Sequence, residues 1–165
     1  MWLSDRRTVL ALLLAVSVGG CGFQPAYGPG SPARGLFDNV AIDAPTDKNG
    51  FDLVERLEER LGRPKQPDYL LSYRIETRSE GLAIAPDNAI IRYQVTAKIK
   101  FGLKDNETGM IVSDGVVSSF TAYSASGTSV ATASSEADAY TRLMRLLADQ
   151  IATRIIADLS SGRAK

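Results

Sequence analysis

Hydrophobic and polar residues alternate most cleanly between Ile91 and Phe101. Ile91, Tyr93, Val95, Ala97, Ile99 and Phe101 are separated by Arg92, Gln94, Thr96, Lys98 and Lys100. A period of two sends successive side chains to opposite sides, so this stretch predicts a strand with one apolar and one wet face. Tyr69, Leu71, Tyr73, Ile75 and Thr77 alternate in the same way with Ser72, Arg74, Glu76 and Arg78. Between the two runs, residues 81–88 read as a loop. Asp105-Asn106-Glu107-Thr108-Gly109 has the composition of a turn, and the chain from Met110 to Ser124 reads as the return strand of a hairpin. Gly115 inside it predicts a bulge. Upstream, Asn39-Val40-Ala41-Ile42-Asp43 makes a short strand, with Phe37 leading in and Pro45 ending it.

Two segments switch to helical spacing. In the first, Leu53, Val54, Leu57 and Leu61 share one face, while Glu55, Arg56, Glu58, Glu59 and Arg60 fill the others. Asn49 is the predicted N-cap, with Asp52 in a capping-box position, and Gly62 and Pro64 stop the helix. In the second, Ala139, Leu143, Leu146, Leu147, Ile151, Ile155 and Leu159 form an apolar stripe. Its start is predicted near Ser134 or Ser135, with Asp138 completing the cap. Residues 124–135, almost all Ser, Ala, Thr and Gly, read as a loop before it. Ser160-Ser161-Gly162 ends it.

The element order is therefore strand, helix, then three strands and a final helix. The first strand–helix–strand fits a right-handed parallel crossover, and the later strands are hairpin-linked. Each helix has a single apolar stripe, and the strands keep one polar face. These patterns predict an α+β two-layer sandwich, with two helices packed on one face of a four-stranded mixed sheet.

The first twenty-one residues follow another logic. Arg6 and Arg7 precede an apolar run from Val9 to Val18, and Gly19, Gly20 and Cys21 follow. A basic start, a short apolar run and small residues before a cut site are the pattern of a secretory signal peptide. The run is about ten residues, half of what a spanning helix needs. Val18-Gly19-Gly20-Cys21 resembles a lipobox. That resemblance implies cleavage before Cys21, a lipid on its thiol and an acylated new N-terminus. Asp5-Arg6-Arg7-Thr8-Val9-Leu10 also resembles a twin-arginine export signal, which leaves the export route open. The predicted organisation is a signal peptide over 1–20, a lipidated Cys21 with a Gly/Pro-rich tether over 21–35, and a single periplasmic domain over 36–165. Two or three acyl chains would hold that domain at a bilayer, since each buried CH₂ contributes about 0.8 kcal/mol. Gly22 stands where an Asp often marks inner-membrane retention in such lipoproteins, so the expected destination is the outer membrane.

Composition narrows the chemistry. The chain has 19 basic and 19 acidic side chains and no histidine. Loss of the signal removes Asp5, Arg6 and Arg7, for a net charge of about −1. Such balance gives no support for nucleic-acid binding. Without histidine, and with its one cysteine assigned to lipid, the chain lacks the usual transition-metal ligands. No metal site is expected, nor any cofactor beyond the covalent lipid on Cys21. No Gly-x-Ser-x-Gly, Ser-x-x-Lys or phosphate-loop pattern occurs, and a Ser-His-Asp triad cannot be built. The reading is therefore a non-enzymatic protein. No second cysteine remains for a disulfide, so the core must hold itself together.

The start Cys21-Gly22-Phe23-Gln24-Pro25-Ala26-Tyr27-Gly28, the Leu53–Gly62 helix and the final Arg142–Ile155 helix together resemble the LptE family, lipopolysaccharide-assembly lipoproteins, of an alphaproteobacterial type. The resemblance covers nearly the whole chain. It implies two helices on a four-stranded sheet and an outer-membrane lipoprotein on the periplasmic side. It also implies a partner, the large β-barrel that exports lipopolysaccharide, which the lipoprotein plugs and helps to assemble. Contact with lipopolysaccharide itself is a further part of that expectation. Candidate contacts with barrel or lipopolysaccharide are Arg74, Arg78, Arg92, Lys98 and Lys100, whose plainer role is to solvate the sheet. The Ser/Thr/Ala segment over 124–135 is a second candidate contact. Phe23 and Tyr27 fit either a tether or an interface. An accessory lipoprotein of another envelope lipid-transport system, such as phospholipid transport, shares the lipobox and the size, and composition does not separate the two.

Overall fold

The computed structural model describes residues 38–86 and 89–160. Cys21, the signal and the tether lie outside them. The elements are β1 (Val40–Ile42), α1 (Lys48–Leu61), β2 (Tyr69–Ile84), β3 (Ile90–Asp105), β4 (Ile111–Ser124) and α2 (Ser129–Ser160). The sheet is open, in the order β1-β2-β3-β4, with β1 parallel to β2 and the other pairs antiparallel. Both helices lie on one face, so the predicted α+β sandwich is the observed fold.

The core follows the odd-numbered strand residues. Leu71 of β2 and Val95, Ala97, Ile99, Phe101 and Leu103 of β3 meet Leu53, Leu57 and Leu61 of α1 and Leu143, Leu147, Ile151 and Ile155 of α2. Met144, Ala148, Ala152 and Ile156 are buried as well, which widens the predicted stripe of α2. Leu146, predicted to lie in that stripe, is instead 40% exposed. Leu146 lines a groove beside β4, with Phe101 and Val117. Polar pairs join the helices at their rims. Arg56 grips Asp149 with two 3.1 Å hydrogen bonds, and Thr141 donates to Asp52 at 2.8 Å.

Several boundaries differ from those predicted. The N-cap of α1 is Asp47, not Asn49. Asp47 has extended backbone, and its carboxylate accepts the Gly50 N–H at 2.7 Å. Asn49 is already in the first turn. Asp52 is consequently no capping-box partner; it is nearly buried between Lys48 Nζ, at 2.8 Å, and Thr141. Gly62 does end α1, at φ 89°, donating its N–H to Glu58 O at 2.8 Å. There a Cβ would strike Asp38.

The segment predicted as a loop over 81–88 is strand as far as Ile84, with register shifts around Ala83. Gly81 pairs with Tyr93 inside the ladder, and the Ile90 side chain packs over the space its missing Cβ leaves. Gly115 is not a bulge. It pairs in register with Phe101, whose ring lies where a Cβ would come within 3.3 Å, so the glycine makes room for an aromatic side chain. The irregularity of β4 lies instead at Val112, where partners step from Ser113 to Ile111.

α2 starts at Ser129, five residues before the earlier of its predicted caps. Thr128 is the capping side chain, accepting from Ala131 N at 3.3 Å, and Ser135 bonds the Ala131 carbonyl at 2.9 Å. Asp138 pairs with Arg142 at 2.8 Å rather than completing a cap.

Candidate functional site

Pairing β2, β3 and β4 in register collects the even-numbered residues on the face that no helix covers. Arg74, Arg78, Arg92, Lys98 and Lys100 all emerge on this open face, and all are exposed. Strand register then decides which meet. Arg74 lies directly opposite Lys100, and Glu76 opposite Lys98. Opposed residues sit about 4.5–5.5 Å apart and their diagonal neighbours about 7–8 Å. Arg74, Lys98 and Lys100 therefore share one cross-strand cell with a single carboxylate, Glu76. Lys100 Nζ reaches that carboxylate at 3.9 Å. Among the described residues, Arg74 and Lys98 have no ion-pair partner.

Arg78 and Arg92 stand apart from this cell. Arg78 faces Thr96 and is held by Glu80 at 2.6 Å, beyond Glu76 along β2. Arg92 is six residues before Lys98 on β3, opposite Ser124, at the end where the ladder with β2 shifts. The structure thus brings three of the five candidates together and leaves two separate.

Like charges directly opposed across a sheet are destabilising. The cell is wet, so the cost is small, but it makes no contribution to folding that would account for it. What it can do is hold an anion. Three ammonium or guanidinium groups within one strand cell match an oxyanion such as a phosphate.

Apolar side chains of β4 share the face and were not anticipated. Val116 and Phe120 of β4 are 53% and 64% exposed, with Val116 opposite Lys100 and Phe120 opposite Thr96. Their even parity with Asp114 and Ser118 could have flagged them. On the other side of β4, a groove of about 850 Å³ runs between the strand and α2, lined by Phe101, Gly115, Val117, Leu146 and Thr153 among others.

The other predicted contact, 124–135, is mostly the first turns of α2 and is largely exposed. It lies at the same end as the β2–β3 hairpin tip, where Leu82, Ile84, Ile90 and Ile91 are also exposed. The chain enters the sheet at the opposite end. Asp68 and Tyr69 donate to Asn39 O there, and the β3–β4 turn is tied to the same place through Asn106 N and Asp68 O at 2.8 Å. That turn is built on Asp105, whose carboxylate accepts the Glu107 and Thr108 N–H groups at 2.8 Å each. The Thr108 bond is the main reason its pKa is lowered. Tyr123 stacks on Tyr93 at 5.3 Å on the helix side, and its phenol pKa is raised, mainly by burial.

A metal-binding function finds no support in side-chain clusters: among the described residues no group of three or more acidic, His or Cys side chains comes together. Nor, among them, is any helix long and apolar enough to cross a membrane.

A family model described as "Lipopolysaccharide-assembly", LptE, matches residues 37–155, well over half of the chain. The protein belongs to the LptE family. As a member it is a lipoprotein of the lipopolysaccharide-assembly class. No curated protein matches it. Solved structures share the fold at low identity. A lipoprotein of Caulobacter crescentus CB15 is 19% identical, with a TM-score of 0.64 over 78% of this chain and 96% of that one. A minor lipoprotein of Acinetobacter baumannii is 17% identical, with a TM-score of 0.59 over 74% and 93%. Rare lipoprotein B of Shewanella oneidensis is 14% identical, with a TM-score of 0.54 over 76% and 94%. At these identities the likeness is one of fold.

Proposed function

We propose that this LptE-family protein is an outer-membrane lipoprotein, anchored through Cys21 in the periplasmic leaflet. It plugs and helps assemble the β-barrel that delivers lipopolysaccharide to the cell surface, and it binds lipopolysaccharide. It works by binding, not by catalysis. The observation that carries this reading is the cell of Arg74, Lys98 and Lys100 on the open face. Lipopolysaccharide bears phosphates, and these three cations offer them charge-assisted hydrogen bonds.

The rest of that face suits a barrel interior. A barrel lumen is polar, so a plug should present hydrogen-bonding side chains with modest charge. Ser72, Gln94, Thr96, Ser118 and Ser124 supply these between the charged residues. The layout of the domain also fits. A strand of 16 residues such as β3 is about 50 Å long, which exceeds the barrel's apolar band of about 25 Å. The described chain begins at the β1 end, and the apolar tip of the β2–β3 hairpin lies at the opposite end of the sheet.

Depleting the protein in its host tests the proposal. Barrel maturation is followed on a non-reducing gel and surface lipopolysaccharide by labelling. Loss of both is expected. A mature barrel together with normal surface lipopolysaccharide would overturn the reading and leave an accessory lipoprotein of another lipid-transport system.

A further inference from the structure

The groove between β4 and α2 is the wrong kind of surface to leave in water. Phe101, Gly115 and Val117 make its floor, and Leu146, Gln150 and Ala157 stand at helical spacing along its α2 wall. Leu146 is 40% exposed there. Gly115 deepens the floor, since a Cβ at that position would come within 3.3 Å of the Phe101 ring. The occupant that fits is one with apolar side chains of its own. A barrel lumen is polar and does not offer them.

The chain itself supplies such an occupant. Residues 21–37 lie outside the described residues, and within them Gly22-Phe23-Gln24-Pro25-Ala26-Tyr27-Gly28 carries two aromatic side chains four positions apart. A tether needs only reach and solubility, and Phe23 and Tyr27 add to neither. Pro25 between them has φ fixed near −65°, which favours the extended polyproline form. At about 3.1 Å per residue that form sets Phe23 and Tyr27 about 12 Å apart. The groove wall from Leu146 to Ala157 is about 16 Å long at 1.5 Å per helical residue. An extended segment makes no internal hydrogen bonds, and the Gln150 amide on the wall can both donate to its backbone and accept from it.

Reach and direction agree with this seat. α2 runs antiparallel to β4: Ser113 Oγ donates to Asp158 at 2.8 Å, and Thr121 Oγ1 donates to Ala139 O at 3.0 Å. The Ala157 end of the groove therefore lies toward the end of the sheet where the described chain begins, and Leu146 lies farther along. From Asp38 beside β1, the Leu146 end is about 14 Å across three strand spacings and about 25 Å along the strands. Tyr27 is eleven residues before Asp38, a stretch that spans up to about 36–40 Å. With Tyr27 at Leu146, the segment runs back so that Phe23 comes to Ala157. Cys21 then leaves at the end where the described chain begins. Covalent linkage over so short a stretch keeps the segment at a local concentration of about millimolar.

We infer that residues 22–28 fold back into the groove between β4 and α2, with Tyr27 against Leu146 and Phe23 toward Ala157, as a strap on the domain. Arg74, Lys98 and Lys100 lie on the other face of the sheet and stay uncovered. The inference does not depend on the function proposed above.

Photocross-linking of the full chain in host membranes tests it. A benzophenone-bearing phenylalanine replaces Tyr27, aromatic for aromatic, and tryptic peptides are sequenced by mass spectrometry after irradiation. The expected product is a link within one chain between the peptide that ends at Arg34 and peptide 146–154. Phe23→Ala touches neither probe nor target and leaves the folded domain intact. It should lower the yield of that product about tenfold, because the segment loses one of its two apolar anchors. A yield unchanged by Phe23→Ala would overturn the inference, since it signals chance collision of a loose segment. Absence of any link to 146–154 would overturn it too. So would a probe joined mainly to lipid, to a second copy or to a protein of another mass, each of which would then be what Tyr27 contacts.

Discussion

The two faces of this sheet are built from alternate residues of the same strands, yet they serve separate purposes. Along β3, Val95, Ala97, Ile99, Phe101 and Leu103 are buried under the helices, while Gln94, Thr96, Lys98 and Lys100 point away from them. Burying each large apolar side chain stabilises the fold by about 1.5–3 kcal/mol. The open face offers nothing of that size. Its ion pairs, Arg78 with Glu80 and Lys100 with Glu76, are exposed, and such pairs contribute about 0–1 kcal/mol. It even sets Arg74 against Lys100. A face that folding does not need is free to be shaped by binding, and its departures from good folding chemistry are the places to look for a ligand.

Substitutions on the two faces should therefore have opposite effects. Ile99→Ala, in the middle of the covered face, should lower stability by about 2–5 kcal/mol in urea unfolding, because it leaves a cavity beneath both helices. A loss under about 1 kcal/mol would mean that the helices are not packed on this face as described.

Replacing Arg74, Lys98 and Lys100 together with glutamine should change stability by only about 0.5 kcal/mol. It should sharply weaken binding to lipopolysaccharide and remove most of the salt dependence of that binding, measured by titration at two salt concentrations. Unchanged affinity would strip the open face of its proposed role.

The smallest effect is expected at neither face but at the β3–β4 turn. Asp105 has its pKa lowered by the turn N–H groups, so its contribution is present above the unfolded carboxylate value of about 4. That contribution is lost as pH falls through the lower folded value. Asp105→Asn should be slightly less stable than the parent at neutral pH. The gap should close below about pH 4 in urea midpoints measured across pH. A gap that persists into acid would place the effect in the amide's geometry and not in charge.

How much was legible in the sequence varies with the kind of signal. The alternation of β3 and the apolar face of α1 are strong periodic patterns and appear where expected. The start of α2 was hidden because residues 129–135 bury little, so they show no apolar stripe. What forms helix there is the propensity of Ala131 and Ala133 and the Thr128 cap. The outer reach of the β2–β3 hairpin was hidden because its ladder continues past the helices, where hydrogen bonds hold it without core burial. At Gly115, glycine had two meanings in a strand, a bulge or a close approach, and only the position of the Phe101 ring chose between them.

For the candidate site, alternation alone determined that Arg74, Arg78, Arg92, Lys98 and Lys100 would emerge on a wet face, because parity along a strand is local. It could not determine which of them meet. Arg74 and Lys100 are 26 positions apart in the chain, and their apposition depends on the register between β2 and β3. Register is an agreement between strands, set by the buried residues on the other face and by where the ladder shifts. The same holds for the strand order, which among the described residues puts β4 last. Local periodicity thus determined the elements and their faces, whereas neighbours and edges were decided by pairing, which no single segment encodes.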